Sequence, residues 1–470
     1  MAKRTNIIIA SVIGALVIGA GLGILIWWLV TDKAMTDDGG IDDIDGSGDG
    51  ADIGDNEYDV TELSGDGLGD IPYTAAYTNI RGAGNMFWWF YPTTSPRRST
   101  TPLIVWLDGV TGVPPSLLAN FGMFGPYDIN MNVRNESWVE QYSLLFIDSP
   151  LGTGYSTLED GNISTNLDQM TNHLIYTLKS FYSLHKEYLY APLYIFGQGH
   201  GAQQAVSLAA KLKDIDHLAH LPTGVVIGNG IISPALALTK LGFYLEELGY
   251  IDGNGRSAVE NISNIINKAV NEERFGEAFD RLLSLGKFVN ENAGAVAVNL
   301  GHIVEKLTQE SLQDPYNQRQ FMKKLFGIRS INIMDEVIRP ALGIPNSIKF
   351  DGQNENALRA VRSTFMIPAV DKVEYLLQNT NVSVTIYNGN LDAVSNTPGQ
   401  LEWVDNLRWH GQANFTSSLR QTLIINGLVE GYFRETPRLT FYWMNVAGQS
   451  VPLDNPVAMR RILRRIIDGN

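Results

Sequence analysis

Residues 193–202 read Leu-Tyr-Ile-Phe-Gly-Gln-Gly-His-Gly-Ala, and they constrain this chain more than any other stretch. Four apolar residues suited to a buried strand run through three alternate glycines into a segment of helical character. A strand that bends into a helix within so few residues needs small residues on either side of the bend, so that the two elements can approach each other. Gly197 and Gly201 hold those places. In the Gly-x-Ser-x-Gly form of this bend the middle residue is a nucleophilic serine exposed on a strained backbone. Here the middle residue is Gly199, which has no side-chain oxygen and adopts unusual dihedrals without steric cost. The change is expected to relax the bend and to remove the nucleophile together. A strand, turn and helix with unrelated glycines is the alternative reading.

The surrounding sequence alternates in the same way. Apolar runs at residues 85–91, 102–107, 143–148, 224–228, 384–387 and 439–443 read as strands, the first suited to the centre of a sheet. Residues 167–185 carry helical apolar spacing at Met170, Leu174, Leu178 and Phe181. Strands alternating with helices imply an α/β fold with a mostly parallel central sheet covered on both faces. The interval 232–367 breaks the alternation, with helices expected at 235–250, 256–272, 275–289 and 317–326. Such a helical insertion between two strands of one sheet is a usual source of a lid. Near the C-terminus, Asn455 and Pro456 set the cap and first turn of a helix. Its Met459, Ile462, Leu463, Ile466 and Ile467 face inward, and Arg460, Arg461, Arg464 and Arg465 are read mainly as a solvated face.

With 470 residues, 44% of them hydrophobic, the chain can bury one large core and carry appendages. Residues 7–30 contain no charge, enough for a helix across a bilayer core of about 30 Å. A signal peptide is the competing reading, but its apolar region is normally only about 7–15 residues, and no small-x-small cleavage site follows Val30. Lys3 and Arg4 before the span and acidic residues after it place residues 1–6 in the cytosol and the remainder in a lumen or outside the cell, a type II topology. Ala15, Gly19 and Gly23 share one face of the span; the stripe suits a homodimer contact, or is the ordinary glycine tolerance of membrane helices. Residues 31–70 read as a solvated Asp/Gly linker, and residues 71–470 as the folded body. Between residues 37 and 70 stand thirteen acidic residues and no Lys or Arg, close to the whole formal net charge of −15. Asp43, Asp45, Ser47 and Gly48 begin like a calcium loop, but its twelfth position is Gly54 instead of Glu. The acidic balance excludes a basic nucleic-acid face, and the absence of cysteine excludes disulfides and thiolate chemistry. No metal or cofactor is expected. Sequons at Asn135, Asn162, Asn261, Asn381 and Asn414 all lie on the lumenal side of the span.

Several motifs together carry a resemblance. Residues 144–156 contain Pro150-Leu-Gly152-Thr-Gly154-Tyr-Ser156, residues 384–392 end in Asn390-Leu391-Asp392, and residues 447–452 read Ala-Gly-Gln-Ser-Val-Pro. With the aromatic strand at 85–91 they resemble the serine carboxypeptidase family, in its retinoid-inducible branch, from about residue 73 to 467. The resemblance implies an α/β-hydrolase fold and a triad in the order Ser, Asp, His. Carried onto this chain, Asp392 survives, the serine position is Gly199 and the histidine position is Gln449. Glutamine cannot take a proton from a nucleophile near neutral pH. The family's oxyanion turn, Trp-Leu-Asn-Gly-Gly-Pro-Gly, appears as Trp106-Leu107-Asp108-Gly109-Val110-Thr111-Gly112. The oxyanion positions therefore fall on Gly109, Val110 and His200, and β-branched Val110 is expected to resist the backbone of a glycine turn. The Asn and Glu that the resemblance implies for a substrate's terminal carboxylate fall on Asp108 and Gln198, with acid and amide exchanged. A protonated Asp108 can donate to a carboxylate and an ionised one repels it.

No histidine follows His410, and His173, His185, His217, His220 and His302 lie outside the motifs and read as ordinary surface or core residues. The sequence thus points to a membrane-anchored pseudoenzyme that acts by binding, with a peptide or protein ligand at the vestigial cleft. An active carboxypeptidase or acyltransferase with an unconventional site, and an adhesion ectodomain that ignores the cleft, are the rivals.

Overall fold

The computed structural model describes residues 57–469, apart from 97–99, 216–217, 219–221, 308–332 and 353. The chain divides into two units at Gly54/Asp55. The expected span at 7–30 with Ala15, Gly19 and Gly23, the loop at 43–54, His217, His220 and the helix at 317–326 lie outside the described residues. Among the described residues no helix is long and apolar enough to cross a membrane.

Among the described residues twelve strands form one sheet: β1 (Tyr58–Glu62), β2 (Thr74–Ile80), β3 (Gly84–Tyr91), β4 (Leu103–Leu107), β5 (Ser143–Ile147), β6 (Thr157–Leu158), β7 (Leu193–Gln198), β8 (Gly224–Gly228), β9 (Ser383–Gly389), β10 (Gln421–Ile425), β11 (Leu428–Glu435) and β12 (Leu439–Met444). Their order is β1-β2-β3-β5-β4-β7-β8-β9-β12-β11-β10, with β6 beside β3. The expected parallel centre is present from β5 to β12. Antiparallel strands extend it on both sides, so the sheet as a whole is mixed. The aromatic strand expected at the centre is β3, third from one edge. It is nonetheless buried along almost its whole length, because Trp88 and Trp89 point to opposite faces and both faces are covered. β1 falls inside the segment read as linker: Tyr58–Glu62 pairs with β2, Leu68 is buried, and Tyr58 stacks on Tyr176. The aspartates on either side made this stretch look solvated.

One face of the sheet carries Trp106, Phe146, Phe196 and Tyr442, packed with Phe124, Trp138 and the C-terminal helix Pro456–Asp468 through Met459, Ile462 and Leu463. That helix opens on the Asn455 cap, whose side chain accepts from the Ala458 amide. Two of its arginines are not simply solvated: Arg460 pairs with Glu136 and Arg465 with Glu435. The helix Gly201–Leu212 packs against β4, β7 and β8, and Leu167–Leu184 packs beside it.

Between β8 and β9 stands the helical insertion. Its first expected helix is two, Pro234–Leu238 and Leu241–Glu247, broken where the Thr239 hydroxyl bonds back to the Leu236 carbonyl. The helices Gly253–Asn271 and Phe275–Asn292 pair and bury Val259, Ile266, Phe279 and Leu285 in a separate core. Val110 belongs to that core, which ties the insertion directly to the turn after β4.

Candidate functional site

The bend after β7 is built as its spacing requires, with one difference from the sequence expectation. Gly199 has φ +56°, so the backbone has not relaxed; glycine has removed the steric cost of the left-handed conformation and kept the conformation. Hydrogen bonds fix it from both sides, from the Gly199 amide to the Gly228 carbonyl at 3.2 Å and from the Ile231 amide to the Gly199 carbonyl at 3.0 Å. At Gly201 the demand is close approach, since a Cβ there would stand 2.2 Å from the Leu107 carbonyl oxygen.

Facing the bend is the turn after β4, where a second expectation is corrected. Gly109 carries the positive φ, +71°, and Val110 is absent from the left-handed residues. Its branched side chain is buried under the insertion and does not oppose the turn. What has changed is the hydrogen bonding. The Val110 amide donates to His200 Nδ1 at 3.4 Å, and the His200 amide donates to the Thr111 hydroxyl at 3.3 Å. Both bonds are long and individually weak. Both acceptors nevertheless occupy the space in front of an N–H that an oxyanion hole keeps free. Burial lowers the His200 pKa to about 4, which leaves the ring neutral and Nδ1 able to accept, and the ring stacks on Phe365 at 5.3 Å. Sequence reasoning missed the part of Thr111; its signal was a hydroxyl where the resembling motif has proline.

Asp108, Gln198, Gly199 and Gln449 do come together, around a cavity that Thr111, Leu118 and Ser450 also line. Its volume is about 30 Å³, room for water and not for an amino-acid side chain. Asp108 is 1% exposed, accepting from Trp106 Nε1 at 2.9 Å and from Gln198 Nε2 at 3.2 Å. Burial pushes its carboxyl up to about 7, against the lowering effect of those two bonds. Gln198 Oε1 is buried with no partner among the described residues. If the amide turns over, a protonated Asp108 can donate to Oε1, and Nε2 then takes the place that has no partner.

Asp392 does not line the cavity. It is fully buried, accepting from Asn229 Nδ2 at 2.9 Å and from the amides of Val394 and Ser395 at 2.8 and 3.1 Å, and burial raises its pKa to about 7. Its known partners are these structural donors, and Gln449 is not among them. Instead the insertion lies over both loops. The Ala393 amide donates to the Leu300 carbonyl, the Ile303 amide to the Leu391 carbonyl and the Gln449 amide to the Gly301 carbonyl, each at 2.8 Å. His302, set aside in the sequence as ordinary, sits in this strap beside Gly448, with Nε2 4.0 Å from Asp454. Nothing in its local sequence marks that position. Among the described residues no group of three His, Cys, Asp or Glu side chains is placed to hold a metal ion. All five sequon asparagines, Asn135, Asn162, Asn261, Asn381 and Asn414, are exposed.

Comparison with known proteins reaches the same architecture. The family model described as serine carboxypeptidase matches residues 70–469. Retinoid-inducible serine carboxypeptidase of Mus musculus is 30% identical, over 80% of this chain and 87% of its own length. The Rattus norvegicus protein of that name is 28% identical, over 83% of this chain and 90% of its own length. Among solved structures, a prohormone-processing carboxypeptidase from Saccharomyces cerevisiae superposes with a TM-score of 0.74 at 20% identity, covering 87% of this chain and 95% of its own, a likeness of α/β-hydrolase fold.

Proposed function

The chain belongs to the serine carboxypeptidase family, and from that premise we propose that it is a catalytically inactive member, a pseudoenzyme whose folded body works by binding. The observation that carries this reading is the pair of engaged amides: Val110 and His200 donate to side chains of each other's segments in front of a bend that has no nucleophile. Loss of Ser and His alone leaves an oxyanion hole that still supports some catalysis. Engaging both amides with His200 and Thr111 opposes what remains. The exchange of Asp108 and Gln198 and the small cavity point the same way, since neither suits a substrate's C-terminal residue.

Residues 7–30 anchor the body in a membrane as a type II protein, with residues 57–469 in the secretory lumen or outside the cell. The charge-free span, the basic residues before it and five exposed sequons support this placement. A serine-directed fluorophosphonate probe tests the inactive reading. The expected result is no covalent labelling of the purified body at pH 5 or 7. Stoichiometric labelling at a serine near the bend would overturn it.

A further inference from the structure

A second cavity, of about 300 Å³, lies between the segment after β4 and the C-terminal helix. It is of a size that holds a small ligand. Asn135 lines it, with Arg134, Glu136, Trp138, Pro452 and Arg460. Asn135 is also the acceptor of the sequon Asn135-Glu136-Ser137. The loop that carries it is pinned on both sides. Arg134 donates to the carbonyls of Phe121, Gly125 and Tyr127 at 2.6, 3.1 and 3.3 Å, and the Ser137 hydroxyl donates to the Phe124 carbonyl at 2.8 Å. Glu136 adopts φ +66°, a left-handed conformation that L-residues rarely take, while its carboxylate reaches Arg460 of the C-terminal helix at 2.5 Å.

We propose that the first sugar of an N-linked glycan on Asn135 seats in this cavity and bridges the 134–137 loop to the C-terminal helix. The inference rests on the lumenal orientation proposed above. The lining suits an N-acetylhexosamine: Arg134, Glu136 and Arg460 offer charged partners for hydroxyl and acetamido groups, and Pro452 and Trp138 offer apolar surface for the ring's C–H face and the acetyl methyl. Covalent attachment at the mouth supplies a high effective concentration, so modest contacts suffice for occupancy. Because Ser137 is 6% exposed and bonded in the folded body, the sugar is added before this region folds. The bridged segments are separated by more than 300 residues in sequence, so docking is expected to stabilise the tertiary contact.

The test uses the full-length protein expressed in a glycosylating host and purified in detergent, as wild type, Asn135→Gln and Asn381→Gln. Site occupancy is read by mass spectrometry and stability by calorimetry. The expected result is sugar at Asn135, a Tm lowered by about 2 °C or more in Asn135→Gln, and little change in Asn381→Gln. On folded wild type, trimming every glycan to its first sugar should leave Tm in place, and complete removal should lower it; this comparison holds even if Asn135→Gln does not fold. Equal Tm across trimmed, stripped and wild-type protein overturns the inference, as does a bare Asn135 beside occupied Asn381 and Asn414. A protein bare at all five asparagines overturns the lumenal orientation and this inference with it.

Discussion

Gly199→Ser with Gln449→His would return a nucleophile and a base to a body that still holds Asp392, but the amides opposite would stay engaged. The new serine's Cβ would meet the Thr111 hydroxyl at 3.2 Å on a backbone at φ +56°, a strain of about 1–3 kcal/mol. The double variant is therefore expected to show no carboxypeptidase turnover above background. Adding Thr111→Ala and His200→Phe removes both acceptors and keeps a ring against Phe365. Each freed donor is worth roughly two to three orders of magnitude, so the quadruple variant should exceed the double by about a hundredfold or more. Val110→Gly should add little, since Gly109 carries the turn. Comparable rates for double and quadruple variants would refute the role given to Thr111 and His200. A second residue-scale expectation concerns Asp108→Asn. The amide carries no charge to bury, can still accept from Trp106 and, with the Gln198 amide turned over, can donate to Oε1, so calorimetry at pH 8 should show a Tm at or above that of wild type.

At the scale of elements, the β7 bend makes unequal demands on its glycines. Gly199→Ala bears mainly the left-handed backbone, about 1–2 kcal/mol, and should fold with a Tm lowered by a few degrees. Gly201→Ala drives a Cβ into the β4 backbone, with Leu107 O at 2.2 Å and Asp108 N at 2.7 Å, and should not accumulate as soluble protein. Equal yields of the two would contradict the packing described. The strands that were legible in the sequence are those buried on both faces: β3, β4, β5, β7, β8, β9 and β12 are apolar runs in which nothing competes with a strand. β2, β10 and β11 were not legible, because sheet margins mix Thr, Asn, Gln and Arg with apolar residues and owe their conformation to pairing partners. The bend after β7, the turn after β4 and the loops that carry Asp392 and Gln449 were readable from motifs. The Val110–His200 and Thr111–His200 bonds were not, because they join residues about ninety apart that only the fold brings together.

For the whole molecule, three buried carboxyls set a pH dependence. Burial raises Asp108, Asp148 and Asp392 each to about 7 from 3.8, so the folded state holds protons that the unfolded chain has released. Their contribution is fully present below about pH 4 and is lost as pH rises through about 7. His173 and His200, lowered to about 4 by burial, work in the opposite sense, but only as pH falls below about 6.5. Calorimetric Tm should therefore drop between pH 6 and pH 8, and a Tm that rises over that interval would contradict the burial of these acids. The type II topology has its own check: the full-length protein should stay in carbonate-washed membranes and shift in mobility on endoglycosidase treatment, whereas unglycosylated, cytosol-accessible protein would exclude it. The most direct measurement of the central claim is release of C-terminal residues from peptide substrates by the purified wild-type body, run at pH 5 and pH 7 beside Asp392→Asn. With Gly199 and Gln449 where the resemblance implies Ser and His and with both amides engaged, wild type and variant are expected to be indistinguishable from buffer; turnover by wild type that Asp392→Asn abolishes would contradict it.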